Sequence, residues 1–173
     1  MFFVLSIFCM LRWCVVQAEL DLMFDEAKCV YVNEEYFKPG SCKFEVNDDS
    51  EYGSSLTSRF EIIKEFPKGA MAAGNLKGIQ MGEYTNDMGL YMEMDLCEIA
   101  SGNQNIALPI MRALDVSGDN CPPKPGIYGK EGYVMDNFEG VPDSFPSGKY
   151  LLNISTFKDD VTIANYHFYL TVL

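Results

Sequence analysis

The sequence predicts an all-β domain of antiparallel strands with a short helical segment. Three observations carry this reading. Several segments alternate apolar and polar residues with period two between turn residues. The carboxyl end reads as a hairpin closed at Lys158-Asp159-Asp160. No internal repeat and no Pro/Gly/Ser linker divides the 173 residues, of which 48% are hydrophobic, enough for one core.

Taken in chain order, Met1 to Ala18 is an apolar run with a lone Arg12 and a Val16-Gln17-Ala18 ending. Small residues at the last and third-last positions suit a signal peptidase. A transmembrane anchor needs about 20 apolar residues, and acidic Glu19 and Asp21 follow at once. The expected organisation is a signal peptide over 1–18, a secreted domain over 19–173 and no transmembrane anchor. Cleavage removes Cys9, Cys14 and Trp13, leaving four cysteines. An even number of cysteines in an oxidising compartment reads as two disulfides. Cys29, Cys42, Cys97 and Cys121 allow three connectivities, and proximity in sequence favours Cys29–Cys42 and Cys97–Cys121.

Within the domain, Leu56 to Ile62 alternates, with Leu56, Phe60 and Ile62 on one face and Thr57, Arg59 and Glu61 on the other. Glycine punctuation argues for a strand near Gly78 to Tyr84. Leu90 to Leu96 repeats the alternation and places Leu90, Met92, Met94 and Leu96 inward. Asn105 to Leu114 breaks the pattern: an N-cap residue, a proline in the first turns and apolar positions at Ile106, Ile110 and Leu114 predict a short helix closed near Gly118. It serves either as a lid over a sheet edge or as part of a cavity mouth.

After the Pro146-Ser147-Gly148 turn, Lys149 to Phe157 and Val161 to Leu173 form the final hairpin. Tyr166, Phe168, Leu170 and Val172 share one face of the last strand, and Asn165, His167 and Thr171 the other. His167, the single histidine, is therefore expected to face solvent. Asn153-Ile154-Ser155 is a glycosylation sequon. A sugar on Asn153 must face water, which turns Leu152 and Ile154 inward.

Composition excludes several functions. A formal charge of −12, or −13 once Arg12 is lost, argues against nucleic acid, whose phosphates need Lys and Arg. It argues equally against an electrostatic grip on anionic headgroups, so any lipid contact must be apolar. No GxSxG, HExxH, phosphate loop or Cys/His metal cluster is present. The expectation is therefore no catalytic residue, no metal and no cofactor. Acidic pairs such as Asp48-Asp49 sit in turn-like stretches and read as solvated charge. Nine Phe, ten Tyr and eight Met remain in the mature chain. Methionine fills irregular volumes, in cores and in adaptable ligand sites alike.

The segment Cys121-Pro122-Pro123-Lys124-Pro125-Gly126-Ile127-Tyr128, with Asp95-Leu96-Cys97-Glu98-Ile99 before it and Phe145-Pro146-Ser147-Gly148-Lys149-Tyr150-Leu151-Leu152 after it, resembles the lipid-recognition (ML-type) superfamily. The likeness is to its ganglioside activator proteins and to their secreted insect relatives, which include the CheB chemosensory proteins. It is clearest over Leu90 to Phe157. The resemblance implies an immunoglobulin-like β-sandwich or β-cup with an internal apolar cavity, and a Cys97–Cys121 bridge. The activator proteins also tie the amino terminus to the final strand, but Val161 to Leu173 has no cysteine, so Cys29–Cys42 would pin the cup differently.

On that analogy the cavity candidates are Phe60, Ile62, Leu90, Met92, Met94, Leu96, Phe138, Phe145, Leu152, Ile154, Phe168 and Leu170, with Phe138 to Pro146 as the rim. The implied function is non-catalytic binding of a lipid or other hydrophobic small molecule, as a carrier or presenter in chemosensory, pheromone-related signalling with a receptor partner. The alternatives are a glycolipid activator working with a hydrolase, and a lipid-free extracellular module that binds a protein.

Overall fold

The computed structural model describes residues 22–49, 53–102, 107–135 and 145–173. The segment read as a signal peptide, the predicted helix start at Asn105, and Phe138 with most of the predicted rim lie outside them. In chain order the elements are β1 (Leu22–Val32), β2 (Lys43–Asp49), β3 (Gly53–Ile62), β4 (Met71–Gln80), β5 (Glu83–Asp95), α1 (Leu96–Ala100), α2 (Leu108–Ala113), a 3-10 turn (Gly118–Asn120), β6 (Gly126–Tyr128), β7 (Gly148–Lys158) and β8 (Val161–Val172). They form two antiparallel sheets, one ordered β1-β8-β7-β4-β5 and the other β2-β3-β6. The expected all-β sandwich with short helices is the observed architecture.

The alternation of β3 and the β7–β8 hairpin is realised as expected. Leu56, Phe60 and Ile62 are buried, and Ile154, Tyr166, Phe168, Leu170 and Val172 point into the core. β1 escapes an alternation reading because bulges between Phe24 and Glu26, and again between Cys29 and Tyr31, shift its phase twice. The expected strand over Gly78 to Tyr84 is corrected: the chain reverses inside it. Met81 and Gly82 both adopt positive φ (51° and 88°) between paired Gln80 and Glu83, the primed two-residue turn that matches strand twist.

The expectation that Leu90, Met92, Met94 and Leu96 all face inward from one strand is corrected at Leu96: Met92 and Met94 pair with Gly74 and Ala72 on the inner face, and Leu90 borders the cavity there. β5 is the outer strand of its sheet, so its inner face is covered on one side only, and Leu90 and Met94 are exposed. Leu96 has left the strand. Asp95 caps a new helix, its carboxylate accepting from the backbone N–H groups of Cys97 (2.8 Å) and Glu98 (3.2 Å). The predicted Asn105–Leu114 helix appears as the shorter α2, whose Ile110 and Ala113 are fully buried. Its Met111 faces the space where β3 meets β7 and β8, and Ala107, just before it, borders the larger cavity on the five-stranded sheet.

Two disulfides fasten this arrangement. Cys29–Cys42 ties β1 to the entrance of β2, and so one sheet to the other; Cys97–Cys121 ties α1 to the end of the 3-10 turn. Aromatic side chains fill the space where the sheets meet, with Phe168 against Phe24 and Phe44, and Phe60 stacked on Tyr128. A buried Ser54 hydroxyl accepts from the Phe24 N–H at 2.7 Å, a polar link between β1 and β3.

Candidate functional site

The three-stranded sheet and the helices cover only part of the five-stranded sheet's inner face. On β7 the inward residues run Tyr150, Leu152, Ile154, Thr156. The first three border a cavity, whereas Ile154 and Thr156 border a second, smaller one. The first has a volume of about 130 Å³ and a wall almost wholly of apolar atoms. Leu76 of β4, Leu90 and Met92 of β5, Leu170 and Val172 of β8, and Phe145 complete most of it. Gly74 makes room: a Cβ built there would lie 3.9 Å from the Met92 side chain, in ordinary contact, so a larger side chain would occupy the cavity.

Of the sequence-predicted cavity residues, the structure brings Leu90, Met92, Phe145, Leu152, Ile154 and Leu170 to this wall. Phe60, Ile62 and Leu96, with Ile154 again, border the second compartment. Met94 and Phe168 border neither. Met94 is uncovered at the sheet edge, and Phe168 is locked between Phe24 and Phe44. Sequence reasoning missed Gly74, Leu76 and Tyr150. Glycines read as punctuation, and the cue available was that Gly74 and Gly78 recur at even spacing.

The second compartment holds about 20 Å³. Its wall joins Phe60 and Ile62 of β3, Leu96 of α1, Met111 of α2, and Ile154, Thr156 and Tyr166. Tyr166 and Thr156 are each only 4% exposed. Full burial pushes the Tyr166 phenol well above its ordinary range. At the larger cavity, the Tyr150 hydroxyl donates to the Pro146 carbonyl at 2.7 Å and its ring packs on Phe145 at 5.0 Å, fixing one side of the opening.

The outer face of the same sheet is polar. Lys28, His167, Asn153 and Asn75 lie side by side across β1, β8, β7 and β4. Asn153 is half-buried there, with Ile154 turned inward and Leu152 on the cavity wall. His167 is half-buried beside Tyr169. Desolvation, then the nearby Lys28 and Lys77 charges, hold its pKa below the ordinary 6.5. No group of three or more His, Cys, Asp or Glu that could hold a metal occurs among the described residues. Among them no helix is long and apolar enough to cross a membrane.

These features define a two-sheet β-sandwich with an apolar cavity on the inner face of its five-stranded sheet. No family model matches the chain, and no curated protein matches it either. Among solved structures, chicken MD-1 complexed with lipid IVa is similar at 16% sequence identity, covering 85% of this chain and 96% of that one, with a TM-score of 0.39.

Proposed function

We propose that this chain is a secreted, non-catalytic binder of lipids or other hydrophobic small molecules, held against the inner face of the five-stranded sheet. The observation that carries the reading is the wall of the 130 Å³ cavity: side chains from five strands converge on it and offer almost nothing but hydrocarbon. Burial there gains about 0.8 kcal/mol per CH2 group and demands no particular head group. Both disulfides support an oxidising compartment, in line with cleavage after Ala18. Asn153, on the outer face, is the proposed glycosylation site.

The role proposed on the strength of the motif resemblance is carriage or presentation of a hydrophobic ligand to a receptor in chemosensory signalling. Protein secreted from eukaryotic cells is to be examined by native mass spectrometry for co-purifying lipid, then titrated with hexane by NMR. Saturable shifts at Leu152, Ile154 and Leu170 are expected. No retained ligand together with no saturable shift would overturn the reading and favour a lipid-free interaction module. Stimulation of a glycolipid hydrolase at acid pH would favour the activator role instead.

A further inference from the structure

The second compartment contains chemistry that the larger cavity lacks. Tyr166 of β8 and Thr156 of β7 both point into the core. Ile154 pairs directly with Tyr166 across the strands, so Thr156, two residues along β7, is the tyrosine's diagonal neighbour on one face. No hydrogen bond joins either hydroxyl to another described residue, and neither oxygen is among the enclosed, unpartnered polar atoms, so each is open to a water-sized partner although its side chain is buried. Such a partner meets the ordinary requirement that polar groups of buried side chains be satisfied. Both residues border a space of about 20 Å³, room for one water or for one heteroatom of a larger molecule.

The two compartments share Ile154 as a wall. A step of two residues along β7 covers about 6.6 Å, so Thr156 lies about that far beyond Ile154, the wall that both compartments share. A dry engineered cavity of about 150 Å³ accommodates benzene, which sets the scale: the larger cavity takes about six carbons.

We propose that Tyr166 and Thr156 form a polar anchor for the inner end of the ligand, reached when Ile154 turns aside, and that the preferred ligand is a single short chain bearing one uncharged oxygen. This rests on the cavity being the binding site. The class is an alkanol, or an aldehyde or ketone, whose oxygen accepts from the Tyr166 hydroxyl. A carboxylate is disfavoured, because no Lys, Arg or His borders either compartment and an unpaired buried charge is far costlier than a paired hydroxyl. Tyr166 and Thr156 are thus specificity-determining residues.

The test titrates the intact secreted protein and its Tyr166→Phe and Thr156→Val variants with hexan-1-ol, hexane and hexanoate, following NMR shifts, with melting temperatures to confirm folding. Tyr166→Phe keeps the ring and removes only the oxygen. It is expected to weaken hexan-1-ol about threefold to tenfold, the worth of one net hydrogen bond, while hexane binding holds or tightens. Hexanoate is expected to bind more weakly than hexan-1-ol. If hexane binds but neither substitution changes the alcohol's affinity relative to it, the compartment holds a trapped water only and the anchor is overturned while the cavity reading stands. If no probe binds the folded wild type, both fall. Should Tyr166→Phe fold poorly, the hexan-1-ol to hexane ratio of Thr156→Val decides alone.

Discussion

At the scale of single residues, the structure identifies positions where one atom decides. Gly129 adopts a φ of +113°, and a Cβ there would stand 2.1 Å from the Ser58 carbonyl oxygen. Backbone must move to admit it, so Gly129→Ala is expected to cost about 2 to 4 kcal/mol in a denaturant titration; a change under a tenth of that would disprove the clash. Ser58 itself is buried, donating to the Ala113 carbonyl at 2.6 Å and accepting from the Lys130 N–H at 3.1 Å, so it fastens α2 and the 130s segment to β3. His167 carries a pH prediction. Its folded pKa lies below 6.5, so the unfolded chain binds the proton more readily and this contribution to stability, present above 6.5, is lost as pH falls. The melting temperature of His167→Gln should therefore fall less steeply between pH 7 and 5.5 than that of wild type. Parallel slopes would show that His167 contributes nothing. Its outward position was legible from alternation, whereas Gly129's role was not: a close approach between β3 and the residue after β6 has no signature in local sequence.

Elements were legible where one face alone is buried and the ladder is regular, as in β3, β7 and β8. They were obscure where a bulge changes phase, as in β1, or where the apolar pattern crosses a boundary. The Leu90 to Leu96 stretch keeps its period through Asp95, yet the strand ends there because that carboxylate satisfies two helix N–H groups. Asp95→Ala should cost about 0.5 to 2 kcal/mol in thermal or chemical unfolding, and Asp95→Asn much less. Equal losses for both would mean that capping is not the cause. β5 is an unpaired edge of 13 residues, and Asp87, Glu93 and Asp95 place charge along it, a common means of discouraging strand-to-strand association. Just past that edge, Cys97–Cys121 closes a loop of 24 residues' separation around α1 and α2. Cys97→Ser is expected to cost about 2 to 5 kcal/mol and to lower secretion; an unchanged melting point would contradict that.

For the whole molecule, one sheet is wider than the other, and the uncovered part of its inner face becomes the cavity. Sequence pattern could place Leu152, Ile154 and Leu170 on the inner face, but not decide whether that face meets side chains or empty space, because this depends on where the shorter sheet stops. Gly74 offers a direct way to separate folding from binding. Leucine at this position would extend into the cavity from a backbone without positive φ, adding apolar contacts where there were few. Gly74→Leu should therefore melt at or above the wild-type temperature without ligand. A ligand at a hundredfold excess over its Kd stabilises the folded state by about 2.7 kcal/mol, a rise of about 5 to 10 °C for a domain of this size. Wild type should show that rise with hexan-1-ol and Gly74→Leu should show none. An undiminished rise in the variant would place the ligand elsewhere. A variant that melts far below wild type would mean that strand β4 cannot carry a side chain there, and Leu152→Phe, which narrows the same cavity from β7, would then have to lose the ligand-induced rise for the binding reading to stand.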